Sequence, residues 1–171
     1  MTLSMIAAFV ASVLFSACMV GAGLMDLLTM RIRNVLVGTL LVAYPVFATL
    51  VGFDFGALAA SAAVAVAVFA GAFAFFAFGL IGGGDAKLAV ASVLWLGPGH
   101  AGPYLFYTAL FGGLFALVLL QFRLLPLMEG WRASPWISRL HHRESGIPYG
   151  VPMAASALMI LPDTAWIAVL R

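Results

Sequence analysis

Apolar residues dominate this chain in runs long enough to cross a bilayer, and short polar breaks divide the runs. The first run covers residues 3–24 and ends at Asp26, and a polar stretch, 26–34, leads into the second, 35–51. Tyr44-Pro45 within that run predicts a kink, which a helix bundle tolerates. After Phe53-Asp54-Phe55-Gly56, a third run rich in Ala, Val and Phe covers 57–81, with small residues that permit close helix packing. Gly82-Gly83-Gly84-Asp85-Ala86-Lys87 reads as a turn. Residues 86–96 are apolar but short for a span, and a Gly/Pro-rich break, 97–103, separates them from the run 104–122. Two spans are expected here rather than a re-entrant hairpin followed by one. Residues 123–143 are comparatively polar, and a last run, 148–169, carries Pro162-Asp163 near its far end. With roughly 20 apolar residues needed per span, the pattern predicts an all-α polytopic membrane helix bundle of about six transmembrane helices. It is expected to form a single integral-membrane domain over residues 1–171, without internal repeats.

Composition removes the soluble alternative. Of 171 residues, 65% are hydrophobic and 8% charged, and the mean hydropathy is +1.16. A soluble domain of this size could not hide so much apolar surface. The single cysteine, Cys18, excludes an intramolecular disulfide and a Cys-based zinc site. No Lys or Arg precedes the first run, and the run is longer than a signal-peptide core. Phe15-Ser16-Ala17-Cys18 matches a lipoprotein cleavage box poorly, because Phe15 stands where a small aliphatic residue is wanted. The first run is therefore expected to be a retained span.

The net charge of +2 matters less than its placement. With six spans, one side collects Arg31, Arg33, Lys87, Arg123, Arg132, Arg139 and Arg143, and the other receives Arg171 alone. That asymmetry marks the rich side as cytoplasmic. Asp26 and Asp85 then emerge at the same cytoplasmic membrane edge, while Asp54 and Asp163 fall on the opposite side.

A carboxylate at the edge of the hydrocarbon is expensive and marks a functional site by default. Around Asp85, Gly82 and Gly84 remove side-chain bulk, so another chain could approach the carboxylate closely. The bland alternative is a turn between spans with Lys87 as an interfacial anchor. Two carboxylates sharing a site repel, so one is ionised and one protonated near neutral pH. The ionised member can take a proton from water and the protonated member can polarise a peptide carbonyl. Topology puts Asp26 and Asp85 on one side, and their contact is an expectation.

The motifs around these residues resemble those of the type IV prepilin peptidases. Asp26 followed by Arg31-Ile32-Arg33-Asn34 is similar to that family's first aspartate motif, in which an Ile-Pro-Asn turn follows the Asp. Gly82-Gly83-Gly84-Asp85-Ala86-Lys87-Leu88 resembles its Gly-x-Gly-Asp motif with the usual Ala-Lys-Leu continuation, and Pro148-Tyr149-Gly150-Val151-Pro152 resembles the opening of its last helix. Gly-x-Gly-Asp alone is a weak pattern shared with presenilin-like proteases, whereas the three motifs in order are specific. Arg33 departs from the family by standing where Pro is usual, which alters turn rigidity without removing an acid.

The resemblance implies an aspartic endopeptidase that cuts leader peptides from prepilins at the cytoplasmic membrane face, with Asp26 and Asp85 as the catalytic pair. Gly82, Gly84, Lys87 and Asn34 are the expected supporting residues. With Cys18 as its single cysteine, the sequence shows no paired Cys-x-x-Cys motifs, and the N-terminal domain that carries them in the bifunctional members is not expected. It therefore resembles the short, peptidase-only form found with tight-adherence (Flp-type) pilus systems. No methyltransferase activity, no S-adenosylmethionine or other cofactor and no metal are expected. The expected partners are prepilin or pseudopilin substrates and the lipid bilayer of the plasma (inner) membrane, with no nucleic acid.

The other polar residues attract plainer readings. Lys87 either biases Asp85 towards ionisation or anchors its helix, and Asn34 could hydrogen-bond in the site, although helix capping is the commoner use of an Asn in that place. His141, His142 and Glu144 make a poor metal site, because adjacent histidines on a helix point apart. His100 is expected in a solvated outer loop, and Gly112-Gly113 is expected to serve helix packing. The 123–143 segment, with Trp131 and Trp136 among its arginines, suits a membrane surface, where it could attract anionic headgroups or guide the substrate. Three rival functions stay open at this point. They are a small proton- or cation-coupled transporter or channel subunit, an inactive assembly partner of a secretion complex, and a preflagellin or presenilin-like peptidase with another client.

Overall fold

A computed structural model describes residues 2–171, the side chain of Arg132 excepted, and its regular structure is helical throughout. Helix α1, Leu3–Thr29, is capped at its start by Thr2, whose hydroxyl accepts from the Met5 N–H. It buries Ala8, Ala11, Phe15, Met19, Ala22 and Asp26 at three- and four-residue spacing, one stripe facing the bundle. Met30 ends it in the left-handed region at φ 54°. An extended link brings in α2, Asn34–Val51, which contains Pro45 and stops at Gly52 (φ 93°). Asp54 caps α3, Phe55–Ala77, by accepting from the Ala57 N–H at 2.6 Å. Only Ser61, Ala65 and Ala72 of α3 are buried, so most of its surface is left for lipid.

The expected count of about six spans resolves into five helices of membrane length plus α4, Gly83–Leu96. At 14 residues, α4 is about 21 Å long, short of the ~30 Å hydrocarbon thickness. It nonetheless touches both ends of the bundle. Gly84 packs on Ile32 at one end. At the other, Trp95 stacks between Phe15 and Trp166 with centroids 5.4 and 5.0 Å away. Two indole hydrogen bonds lock that end, Trp95 Nε1 donating to the Leu40 carbonyl (2.8 Å) and Trp166 Nε1 to the Trp95 carbonyl (2.7 Å).

The Gly/Pro-rich break expected over 97–103 is instead a single hinge at Gly97 (φ 83°), because α5, Pro98–Leu124, starts at once. Pro98 suits the first helical position, where its missing N–H has no intrahelical role. His100 is half-buried in that first turn with its Nδ1 3.1 Å from the Leu96 carbonyl, rather than solvated in a loop. The polar segment that follows folds into two short helices, α6, Glu129–Arg132, and α7, Pro135–His141. It is tied back to the bundle: Arg123 donates to the carbonyls of Leu140, Ser145 and Gly146, and Arg139 to that of Leu28 at 2.7 Å. His141 Nε2 lies 2.8 Å from the Leu125 carbonyl. The last span comprises α8, Gly150–Ile160, a 3₁₀ turn at Leu161–Asp163, and α9, Ala165–Ala168, the break falling at Pro162.

Candidate active site

Helices α1 and α4 run antiparallel and touch where the Ser92 hydroxyl points at the Met19 sulfur, 3.5 Å away. Asp26 lies seven residues beyond Met19, and Asp85 seven residues before Ser92. Seven residues are about two turns, which return a side chain to nearly the same helix face. Both carboxylates therefore stand on the facing sides of α1 and α4, displaced towards the same end of the bundle. Asp26 lies close enough for its charge to act on Asp85. Asp54, which caps α3, and Asp163, in the 3₁₀ turn, belong to the opposite end.

The two groups are held differently. Asp26 is 6% exposed and accepts the Gly150 backbone N–H on Oδ2 at 2.7 Å. Gly150 opens α8, and Tyr149 at the N-cap gives no side-chain cap. Asp26 thus satisfies one of the free N–H groups at the start of a helix to which it does not belong, and its charge faces the positive end of that helix. The approach demands glycines. A Cβ on Gly150 would fall 2.8 Å from the Asp26 Cβ and 3.2 Å from the Ala22 carbonyl, and one on Gly23 would fall 3.2 Å from the Ala154 Cβ.

Asp85 sits in the first turn of α4, whose N-cap is Gly82. The carboxylate turns back on its own helix start: a Cβ on Gly82 would meet Oδ2 at 3.0 Å, and the Gly82 backbone interacts with the carboxylate. The three glycines therefore form a helix start rather than a free turn. Gly84 lets the Ile32 side chain approach to 3.3 Å of where its own Cβ would stand, and Gly83 does the same for the Phe76 ring. The half-buried Asp85 also lines a cavity of about 550 Å³ between α3, α4, α5 and α8, whose walls are otherwise mostly apolar, with Gly71, Ala72, Ala89 and Ala109 leaving room between larger side chains such as Phe75 and Leu105.

Asn34 and Lys87 meet each other, Lys87 Nζ donating to Asn34 Oδ1 at 3.3 Å. This overturns the capping expectation for Asn34. The N-cap of α2 is Arg33, without a side-chain cap bond, and Asn34 instead ties α2 to the first turns of α4. The expected site residues Asp26, Gly82, Gly84, Asp85, Asn34 and Lys87 are all gathered at one end. Sequence reasoning missed Gly150, the hydrogen-bond donor to Asp26, and Tyr149, which lines the Asp85 cavity. The motif Pro148-Tyr149-Gly150 had marked the segment, but only as a helix start. Of the Gly112-Gly113 pair expected to serve packing, Gly112 does so, a Cβ there coming 2.7 Å from the Tyr149 ring, whereas a Cβ on Gly113 would meet only open space.

Five apolar helices of membrane length make this a multi-pass membrane protein, with an acidic pair at one end of its bundle. Comparison with known families gives a more specific result: residues 4–117 match the type IV leader peptidase family. The chain belongs to that family, which carries with it a leader peptidase-like function and prepilins as substrates. The match takes in Asp26, Asn34, Gly82, Gly84, Asp85 and Lys87 and stops short of Gly150. No curated protein and no solved structure matches the chain.

Proposed function

We propose that this chain is an aspartic endopeptidase that cleaves prepilin leader peptides at the cytoplasmic membrane face, with Asp26 and Asp85 as the catalytic pair. The observation that carries the reading is the convergence of these two carboxylates, from α1 and α4, beside an apolar cavity. In this reading the apolar segment of the substrate packs against the cavity wall, and the peptide bond to be cut reaches the two acids. The ionised acid takes a proton from water, and the water oxygen bonds to the carbonyl carbon while the protonated acid donates to the carbonyl oxygen. Collapse of the tetrahedral intermediate breaks the C–N bond: the proton taken from water passes to the leaving amine, and a hydroxyl proton of the intermediate returns to the acid that had donated one, leaving the new carboxyl group and the pair as it began. The excess of Arg and Lys at this end supports a cytoplasmic site, where bulk water adjoins the hydrocarbon. Gly82, Gly84, Lys87 and Asn34 act as supports, the glycines by admitting close contacts and the Lys87–Asn34 bond by holding α2 against α4.

Co-expression with a candidate prepilin tests the reading, comparing wild type with Asp26→Asn and Asp85→Asn. A pilin shortened by wild type alone, with all three proteins equally inserted in the membrane, is the expected result. Equal shortening by Asp85→Asn would remove the aspartic mechanism. Absence of cleavage with wild type would favour a transporter subunit or an inactive assembly partner.

A further inference from the structure

Two buried hydroxyls have no part in the reading above. Tyr104 is 0% exposed, and its phenol oxygen has no hydrogen-bond partner among the described residues. The Thr108 hydroxyl, one turn further along the same face of α5, is likewise buried and unpartnered among them. Both belong to the part of α5 that packs beside α4, on which Asp85, Ala89 and Ser92 form a stripe at four- and three-residue spacing. The hydroxyls of Ser92 and Thr108 flank the Tyr104 phenol without reaching hydrogen-bond geometry, and the charge of Asp85 is felt there. Thr108 also lines the cavity that Asp85 lines.

A buried hydroxyl left unpaired costs free energy, and native interiors seldom leave one so. Buried water settles where two to four polar groups converge with room beside them. Two unpartnered hydroxyls lie one turn apart here, with that of Ser92 close by, and Thr108 opens the group to the cavity of about 550 Å³. We propose that Tyr104 and Thr108 hold a water molecule at the floor of this cavity, deeper in the bundle than Asp85, and that this water serves the Asp26–Asp85 pair. The second half of the proposal rests on the peptidase reading. An apolar substrate segment seated in the cavity shuts out bulk solvent, yet each peptide bond cut consumes one water. Its oxygen enters the new carboxylate, and its hydrogens are shared between the two new termini. A water stored under the substrate resolves that conflict. Tyr104 and Thr108 are then positioning residues, acting through the water rather than touching the peptide.

The test uses the full chain purified in detergent with a prepilin, and wild type and Asp85→Asn are run alongside the variants. Tyr104→Phe and Thr108→Val are each expected to lower kcat about tenfold with KM unchanged. The double variant should fall no further than the worse single one, because either loss releases the same water. Thr108→Ser should restore activity. A kcat equal to wild type in both single variants, while Asp85→Asn is inactive, overturns the proposal, as does a rise in KM alone. Thermal unfolding decides the water site even if wild type cleaves nothing and the peptidase reading fails. Tyr104→Phe is expected to lower the Tm through loss of the bond to water. An unchanged or raised Tm, the result for a hydroxyl that was simply unpaired, overturns it.

Discussion

Asp26 and Asp85 carry the same group to the same end of one bundle, and each lies at the start of a helix, but the helices stand in different relations to them. Asp85 faces the N-terminus of its own helix, three residues from the Gly82 N-cap. Asp26 faces the N-terminus of α8, accepting from a backbone N–H 124 residues away in the chain. Asp85 is thus held by local geometry and left open to a cavity, whereas Asp26 is enclosed by the packing of one span against another. The backbone provides the same attraction in both places, an unsatisfied N–H group and a positive helix end. What differs is how much of the fold must be correct for it to operate. One acid is placed as soon as α4 forms, and the other only when α1 and α8 have closed on each other through Gly23 and Gly150.

The largest effects test what the two acids share. Asp26→Asn and Asp85→Asn should each reduce prepilin cleavage by about 10³-fold or more, measured by conversion of the pilin in membranes, since both serve one step. Next come variants that separate them. Gly150→Ala would drive a Cβ against backbone and against Asp26, and thermal or denaturant unfolding should show a loss of about 2 kcal/mol together with impaired cleavage. Asp26→Ala should be less stable than Asp26→Asn, because alanine strands the buried Gly150 N–H at a cost of about 1–3 kcal/mol while asparagine can still accept from it. Asp85→Ala and Asp85→Asn should unfold alike. Equal destabilisation at both positions would erase the contrast.

Gly82→Ala is the subtler probe. Its φ of −71° suits any residue, but the new Cβ stands 3.0 Å from Asp85 Oδ2, so the carboxylate must move. Cleavage should fall about tenfold while stability changes by no more than about 1 kcal/mol. Smallest of all, Lys87→Met removes an exposed bond to Asn34 and should change the cleavage rate within about twofold.

Much of this was legible in the chain beforehand. The spans could be read because a bilayer demands some twenty apolar residues in succession, and the run of glycines before Asp85 identified a close approach because nothing else in the chain has that composition. Asn34 was misread because capping is the commoner use of an Asn at a helix start, and its actual partner, Lys87, is 53 residues distant. That α4 would be short was legible, but not how so short a helix could reach both ends of the bundle. Its 14 residues suffice because its own Trp95 stacks between Phe15 and Trp166 at its far end, and those two neighbours come from α1 and α9, far apart in the chain.

By itself the amino-acid order determined the membrane setting, the positions of the helices, the charge asymmetry and the local seat of Asp85, all properties of residues close together along the chain. Tertiary structure alone decided that Gly150 would bind Asp26, that Tyr104 and Thr108 would find no partner among the described residues, and that one short helix would reach both ends. A helix start always offers free N–H groups, but which distant carboxylate answers them depends on which helices can pack closely enough to meet.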